Sequence, residues 1–299
     1  MKNFYKYLPI SAQDENWGLQ VLHAGYQEYA PGGQYPDAEH PKHHTFSWEN
    51  GRVLQEYSLV YVTEGSGVFN SQATGDIPIT SGSVIAIFPN VRHRYRPNLK
   101  TGWKEYWIGY QGAFMANLVD KEFFDPEHPV VNVGYNQNMI SLFNEVIEII
   151  DKEKPAYQPL VSGAAIYLLG QIYNSSKQKS FGQDDVENII NRARSIIRDN
   201  LESKLCPNDI ADQLHISYSR FRKLFKGYTG MAPIQYQIQL KLEKAKEELV
   251  NSTRSVKEIA FSLNFESTQY FSNLFKEKTK LTPLEFRKSF AKNAGTLDK

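Results

Sequence analysis

Val256-Lys-Glu-Ile-Ala-Phe-Ser-Leu-Asn-Phe265, followed by Tyr270-Phe-Ser-Asn-Leu-Phe-Lys276 and Pro283-Leu-Glu-Phe-Arg287, is the second of two copies of one helical unit. The first copy runs Asp209-Ile210-Ala211, Leu214, Ile216, Phe221, Leu224-Phe225-Lys226, Thr229 and Pro233. Its counterparts are Glu258-Ile259-Ala260, Leu263, Phe265, Phe271, Leu274-Phe275-Lys276, Thr279 and Pro283, at an offset of roughly fifty residues. The apolar residues of each copy keep helical spacing with a short break between two runs. Ser217 stands where a cap would start the second helix of copy one. In copy two the turn falls at Leu263-Asn264-Phe265, and asparagine tolerates the left-handed backbone of a tight turn. Two short helices with such a turn form a helix-turn-helix, and the stretch from Leu205 to Phe290 contains two.

The side chains left over decide what the repeat does. On the second helix of copy one they are Ser219, Arg222, Lys223 and Lys226, flanked by Arg220. Guanidinium and ammonium groups donate to guanine edges or phosphates, and a serine lets the helix approach closely. The matching stripe of copy two is Thr268, Gln269, Ser272, Asn273 and Lys276, whose amides and hydroxyls read base edges with little added charge. Either stripe alone would suit the solvated face of a helical bundle. Two in tandem point to double-stranded DNA.

The repeat as a whole resembles the AraC/XylS transcription regulators, most specifically in Val256-Lys-Glu-Ile-Ala through Pro283-Leu-Glu-Phe-Arg287. The resemblance implies two helix-turn-helix units joined by one long helix, here about Pro233 to Val250, with the second helix of each unit in the major groove. At ~1.5 Å per residue that connector reaches ~25 Å, a scale suited to neighbouring grooves about 34 Å apart. Asn264 and Lys280 stand where the family usually has glycine, and Lys241 where it usually has arginine.

Charge separates the chain into halves. From Asp184 onward there are 20 Lys+Arg against 15 Asp+Glu, and before it 14 against 18, so the basic half is the one with the repeat. Over 299 residues with 41% hydrophobic content, two cores are affordable. Cys206 is the only cysteine, which excludes an intramolecular disulfide and fits a reducing cytosol. No leader-like segment and no run of eighteen apolar residues is present, so a soluble cytoplasmic protein without a membrane partner is expected.

Up to about Thr45 the chain is rich in Tyr, Pro, Gly and His, and reads as an arm with one strand around Gln20 to His23. Short β-rich runs follow: Ser58 to Thr63, Gly67 to Asn70, Ile77 to Thr80, Val84 to Phe88 and Tyr106 to Gly109. Their spacing predicts an antiparallel barrel or sandwich. Gly82-Ser-Val-Ile-Ala-Ile-Phe-Pro-Asn-Val-Arg-His93 resembles the second cupin motif, with Pro89 one residue late. Together with Tyr57 to Gly65 and Trp103 to Ile108 it looks like the sensing domain common in AraC-type regulators, over roughly Trp48 to Gly112.

Many cupins are metalloenzymes, which raises a rival reading: an enzyme with an accessory DNA-binding domain. That chemistry needs His-x-His on one strand. The candidates are His40, His43 and His44; the last two are adjacent, and the pair at 40 and 44 is interrupted by Pro41 and lacks a downstream Glu. Arg52, Leu54, Glu56 and Tyr57 occupy the place of the first cupin motif. No metal, no cofactor and no catalysis are therefore expected. What remains is a barrel with Trp48, Arg52, Glu56, Tyr61, His93, Tyr95, Glu105 and Trp107 as candidate lining for a small-molecule effector. Aromatics to stack on and polar groups for hydroxyls suit a sugar, although any one of these aromatics would equally serve as core.

Past Tyr110 the period becomes helical. Met139, Ile140, Leu142, Phe143, Val146, Ile147 and Ile150 make one apolar face, and Leu160 to Tyr173 another. They suit either a homodimer interface, which the resemblance favours, or closure of their own core. Asn174-Ser-Ser-Lys-Gln-Lys-Ser-Phe-Gly-Gln183 reads as a flexible linker spanning about 17 Å, and Val186 to Leu201 as a helix opening the second half. The expected fold is thus α+β in two domains. Residues 1–180 form a cupin-like barrel with flanking helices for sensing and dimerisation. Residues 184–299 form an all-α tandem helix-turn-helix. A third reading keeps the DNA-binding half but uses the barrel only to dimerise.

Overall fold

The structure is a computed structural model and describes residues 2–36, 46–181 and 184–294. It divides into two compact units, Met1–Ser180 and Phe181–Lys299. The candidate metal ligands His40, His43 and His44 lie outside the described residues.

The first unit contains β1 (Phe4–Tyr7), α1 (Ala12–Glu15), β2 (Gln20–Tyr29), β3 (Tyr57–Ser71), β4 (Asp76–Thr80), β5 (Ser83–Ile87), β6 (His93–Pro97), β7 (Trp103–Gln111), α2 (Ala113–Asp120), β8 (Val130–Asn132), α3 (Gln137–Lys152) and α4 (Tyr157–Phe181). Every ladder is antiparallel, in the order β1-β2-β7-β3-β5-β8, with β4 and β6 flanking the far half of β3. Side-chain alternation splits the sheet residues between two cores. Tyr29, Val60, Val62, Phe69, Ile79, Ile85, Tyr95, Trp103 and Trp107 gather on the inner face, drawn from both halves of β3, so the sheet curls around them. Leu59, Tyr61, Val84, Tyr106 and Ile108 face the other way, onto Phe143, Val146 and Ile150 of α3 and Val161, Leu168 and Ile172 of α4.

Several elements differ from the expectation. The runs at Ser58 and Gly67 are one fifteen-residue strand, β3, whose register shifts between Val62 and Glu64 as it passes from β5 and β7 to β4 and β6. Strands β1, β6 and β8 were not foreseen. The predicted flexible linker is helical through Phe181, as the end of α4. Extending a nucleated helix fixes few dihedrals per new hydrogen bond, and Lys and Gln cost little there.

The second unit contains α5 (Asp184–Asp199), α6 (Pro207–Gln213), α7 (Tyr218–Thr229), α8 (Pro233–Asn251), α9 (Val256–Ser262), α10 (Thr268–Thr279) and α11 (Pro283–Ala294). The repeat extends to the backbone. His215 and Asn264 adopt φ of 56° and 52° in the two turns, and Gly230 and Lys280 adopt 77° and 66° after the two second helices. Each copy has its own core: Ile190, Ala193, Ile197, Ile210, Phe221 and Phe225 in the first, Leu242, Ala245, Leu249, Ile259, Phe271 and Phe275 in the second.

Candidate nucleic-acid interface and ligand pocket

Helix α7 starts at Ser217, whose hydroxyl accepts from the Arg220 amide, and α10 starts at Ser267, which accepts from Tyr270. Fully buried Phe221 and Phe225 fix which way α7 rolls, so Ser219, Arg220, Arg222, Lys223 and Lys226 are all exposed. Phe271 and Phe275 do the same for α10, leaving Gln269, Asn273 and Lys276 exposed and Thr268 and Ser272 half-buried. Gln269 Nε2 donates to Asn273 Oδ1 at 2.9 Å, one turn further along the same face. Two exposed aromatics beside the stripes, Tyr218 and Tyr270, escaped the sequence reading, which sought polar groups at helical spacing. The connector α8 has 19 residues, so it reaches about 28 Å at ~1.5 Å per residue.

The inner face of the sheet holds a cavity of about 40 Å³ among Tyr7, His23, Tyr29, Tyr35, Arg52, Tyr95, Glu105 and Trp107. Arg52 is fixed by its surroundings. Its backbone bridges to His93, its Nε donates to His93 Nε2 at 3.2 Å and its Nη2 to the Tyr95 hydroxyl at 2.6 Å. Its guanidinium lies 5.0 Å and 5.4 Å from the Phe46 and Tyr95 ring centres. Trp107 lies against β2 where a Cβ on Gly25 would come within 2.5 Å of its ring, so glycine is required there. Glu105 is 5% exposed, and its Oε2 has no hydrogen-bond partner among the described residues. Burial pushes its carboxyl up to about 8, with Arg52 pulling the other way. Burial also raises Tyr7, Tyr35 and Tyr95, so all three stay phenols at neutral pH. Larger hollows exist, such as one of about 510 Å³ beside α8 and α10, but that one is edged by surface residues including Gln235, Gln239, Glu243 and Lys246.

Arg52, Tyr95, Glu105 and Trp107 come together at this cavity; the other four candidates are placed differently. His93 lies behind Arg52, and Glu56 is 3.5 Å from His23 Nε2. Trp48 is outside, with Arg94 and Arg96 stacked on it at 4.5 Å and 4.0 Å. Tyr61 points to the helical face, where its hydroxyl donates to Gly134 O and accepts from Asn136 N, both at 2.9 Å. Tyr7, His23, Tyr29 and Tyr35 were missed because the N-terminal segment has no periodicity to assign them a face.

A cupin-type metal does not fit at His93. Its Nε2 accepts from Arg52 and its Nδ1 lies 3.0 Å from Val91 O, a carbonyl that only an N–H can satisfy. Burial and Arg52 lower its pKa to about 4, so it is the neutral Nδ1–H tautomer. Among the described residues, no group of three or more His, Cys, Asp or Glu is arranged to hold a metal ion.

Residues 31–169 match the family description "AraC-like ligand binding domain", and residues 210–289 match "Helix-turn-helix domain". The chain belongs to the AraC/XylS family of transcription regulators. Similar AraC-family proteins include the Msm operon regulatory protein of Streptococcus mutans serotype c, 25% identical over 81% of this chain and 87% of its own. The lactose operon transcription activator of Staphylococcus xylosus is 24% identical over 82% and 88%. The raffinose operon transcriptional regulatory protein RafR of Pediococcus pentosaceus is 22% identical over 82% and 89%. As an AraC-type regulator the protein combines a DNA-binding half with a domain for a small-molecule effector.

Proposed function

We propose that this regulator senses a sugar in the cytoplasm and acts as a homodimer, with residues 1–180 for sensing and dimerisation and residues 184–299 for binding DNA. Ser219, Arg220, Arg222, Lys223 and Lys226 of α7 and Thr268, Gln269, Ser272, Asn273 and Lys276 of α10 face the duplex. The sugar takes the cavity between Trp107, Tyr95, Arg52 and Glu105. The observation that carries the sugar reading is this cavity: aromatic walls suit apolar ring faces, and a buried carboxyl whose Oε2 has no hydrogen-bond partner among the described residues suits a hydroxyl. The names of two relatives, which refer to lactose and raffinose operons, agree with it. Leu160 and Tyr167 are 63% and 62% exposed on α4, with open space around Gly163 and Gly170 on the same side, which supports α4 as the dimer contact. No helix among the described residues is long and apolar enough to cross a membrane. Signalling is by population shift: the sugar favours one arrangement of the DNA-binding halves by its differential affinity for the two states. The pocket is read as a sensing site, and the engagement of both His93 nitrogens argues against a metal held there.

One observation favours the barrel as a dimerisation module alone: a cavity of about 40 Å³ takes a few waters, at roughly 10–15 Å³ each, and not a pyranose. Sugar binding therefore requires the walls to move apart. Calorimetric titration of the full-length protein with a panel of neutral mono- and disaccharides separates the readings. Saturable heat that is lost in Trp107→Ala supports sensing. Absence of heat with every sugar, in a protein that is dimeric by sedimentation, supports the dimerisation reading.

A further inference from the structure

The two second helices carry unlike chemistry, although their backbones repeat. The first two turns of α7 hold Arg220, Arg222 and Lys223, whereas those of α10 hold no charged side chain between Thr268 and Phe275. In their place α10 presents a preformed amide pair: Gln269 and Asn273 are both exposed and joined by a 2.9 Å hydrogen bond. That bond uses one N–H and one carbonyl lone pair. The outward edge of the pair keeps a free carbonyl acceptor and a free N–H donor, and exchanging O and N in both amides leaves the same two functions.

In the major groove adenine offers an N6 donor beside an N7 acceptor, while guanine offers two acceptors. One acceptor and one donor, side by side, complement adenine; against guanine, the carbonyl would face O6. Gln269 is the second residue of α10, within the N-terminal part of the helix that contacts base edges in helix-turn-helix proteins. Tyr270, 47% exposed beside the pair, offers an apolar ring to the methyl group of the paired thymine. The pair is also already ordered, so less side-chain freedom is lost on binding. At the corresponding places α7 has Ser219 and Lys223, which cannot form such a pair.

We propose that Gln269 and Asn273 act together as the reader of one A·T base pair, so that the operator half under α10 is fixed by adenine while the half under α7 is fixed by guanine and phosphate contacts. The inference rests on the reading that these helices face DNA. It is tested by selecting sites for the full-length protein from a random duplex library, then titrating single-base variants by fluorescence anisotropy. The selected sites should share an A·T pair at a position where A→G weakens binding by roughly 5- to 150-fold. Gln269→Ala should flatten the preference at that position alone, and Gln269→Arg should turn it towards guanine, a gain that an unfolded variant cannot give. A preference unchanged in both variants, or a Gln269→Ala loss equal on all sequences, overturns the adenine assignment and leaves DNA binding intact. A selection that enriches no sequence overturns the reading beneath it as well.

Discussion

Glu105→Gln isolates the one carboxyl that lines the pocket among the described residues. The raised pKa means that the folded chain holds this proton more tightly than the unfolded chain does, so the carboxyl's contribution is complete below pH 4.5. The contribution is lost as the pH climbs to about 8, and then levels off. A rise from 4.5 to about 8, at about 1.4 kcal/mol per pKa unit, gives a total loss of roughly 5 kcal/mol. Glutamine has nearly the same shape and no charge at any pH. Wild type and Glu105→Gln should therefore be of similar stability at pH 5, and the variant more stable by several kcal/mol at pH 9. The assay is urea unfolding followed by tryptophan fluorescence at intervals between those limits. It reports the first unit alone, because Trp17, Trp48, Trp103 and Trp107 are all the tryptophans of the chain. Parallel stability curves for the two proteins across that range would refute the assignment of a neutral, desolvated carboxyl. A variant less stable than wild type at pH 9 would refute it more strongly.

His93 should act at the opposite end: with its pKa lowered from 6.5 to about 4, its contribution is complete above pH 6.5 and is lost on acidification towards 4, by roughly 3 kcal/mol. His93→Gln should flatten that limb of the same fluorescence-detected profile. Arg222→Ala should weaken operator binding by about 1 to 3 kcal/mol in an anisotropy titration if the side chain contacts a base; an equal loss on random DNA would make it a phosphate contact. Phe271→Ala should cost about 3 to 5 kcal/mol within the core of the second copy. Hydrogen exchange should then show protection lost in α9 to α11 and retained in α6 and α7; uniform loss would contradict separate cores.

The helical half was legible because its determinants are local. Ile210, Ala211, Phe221 and Phe225 mark a buried face by spacing alone, and the second copy repeats the message. In the sheet, which face a residue takes depends on register, and a slip by one reverses every side chain. Tyr61 shows the cost: Ser58, Val60 and Val62 point inward and Leu59 and Tyr61 outward, but nothing in an apolar run that is buried on both faces says which set is which. In the structure the inward positions of β6 and β7, His93, Tyr95, Trp103, Glu105 and Trp107, are aromatic or polar. That residue chemistry marks Tyr95, Glu105 and Trp107 as candidate lining even though β6 itself was not foreseen. Tyr7 and Tyr35 reach the cavity from outside any periodic segment, and only tertiary structure brings them there. The end of α4 departs from the sequence for another reason: its polar composition without periodicity suggests a flexible linker, whereas a helix needs no apolar face once it has grown past the surface that nucleated it.

Helix α8 gives Tyr236 and Leu240 to one core and Leu242, Ala245 and Leu249 to the other. A lineage can consequently rewrite the surface of one head, accepting some local destabilisation, without disturbing its sibling. The two parts of a target site are then free to drift at different rates, with the shared spine holding their spacing while their vocabularies diverge.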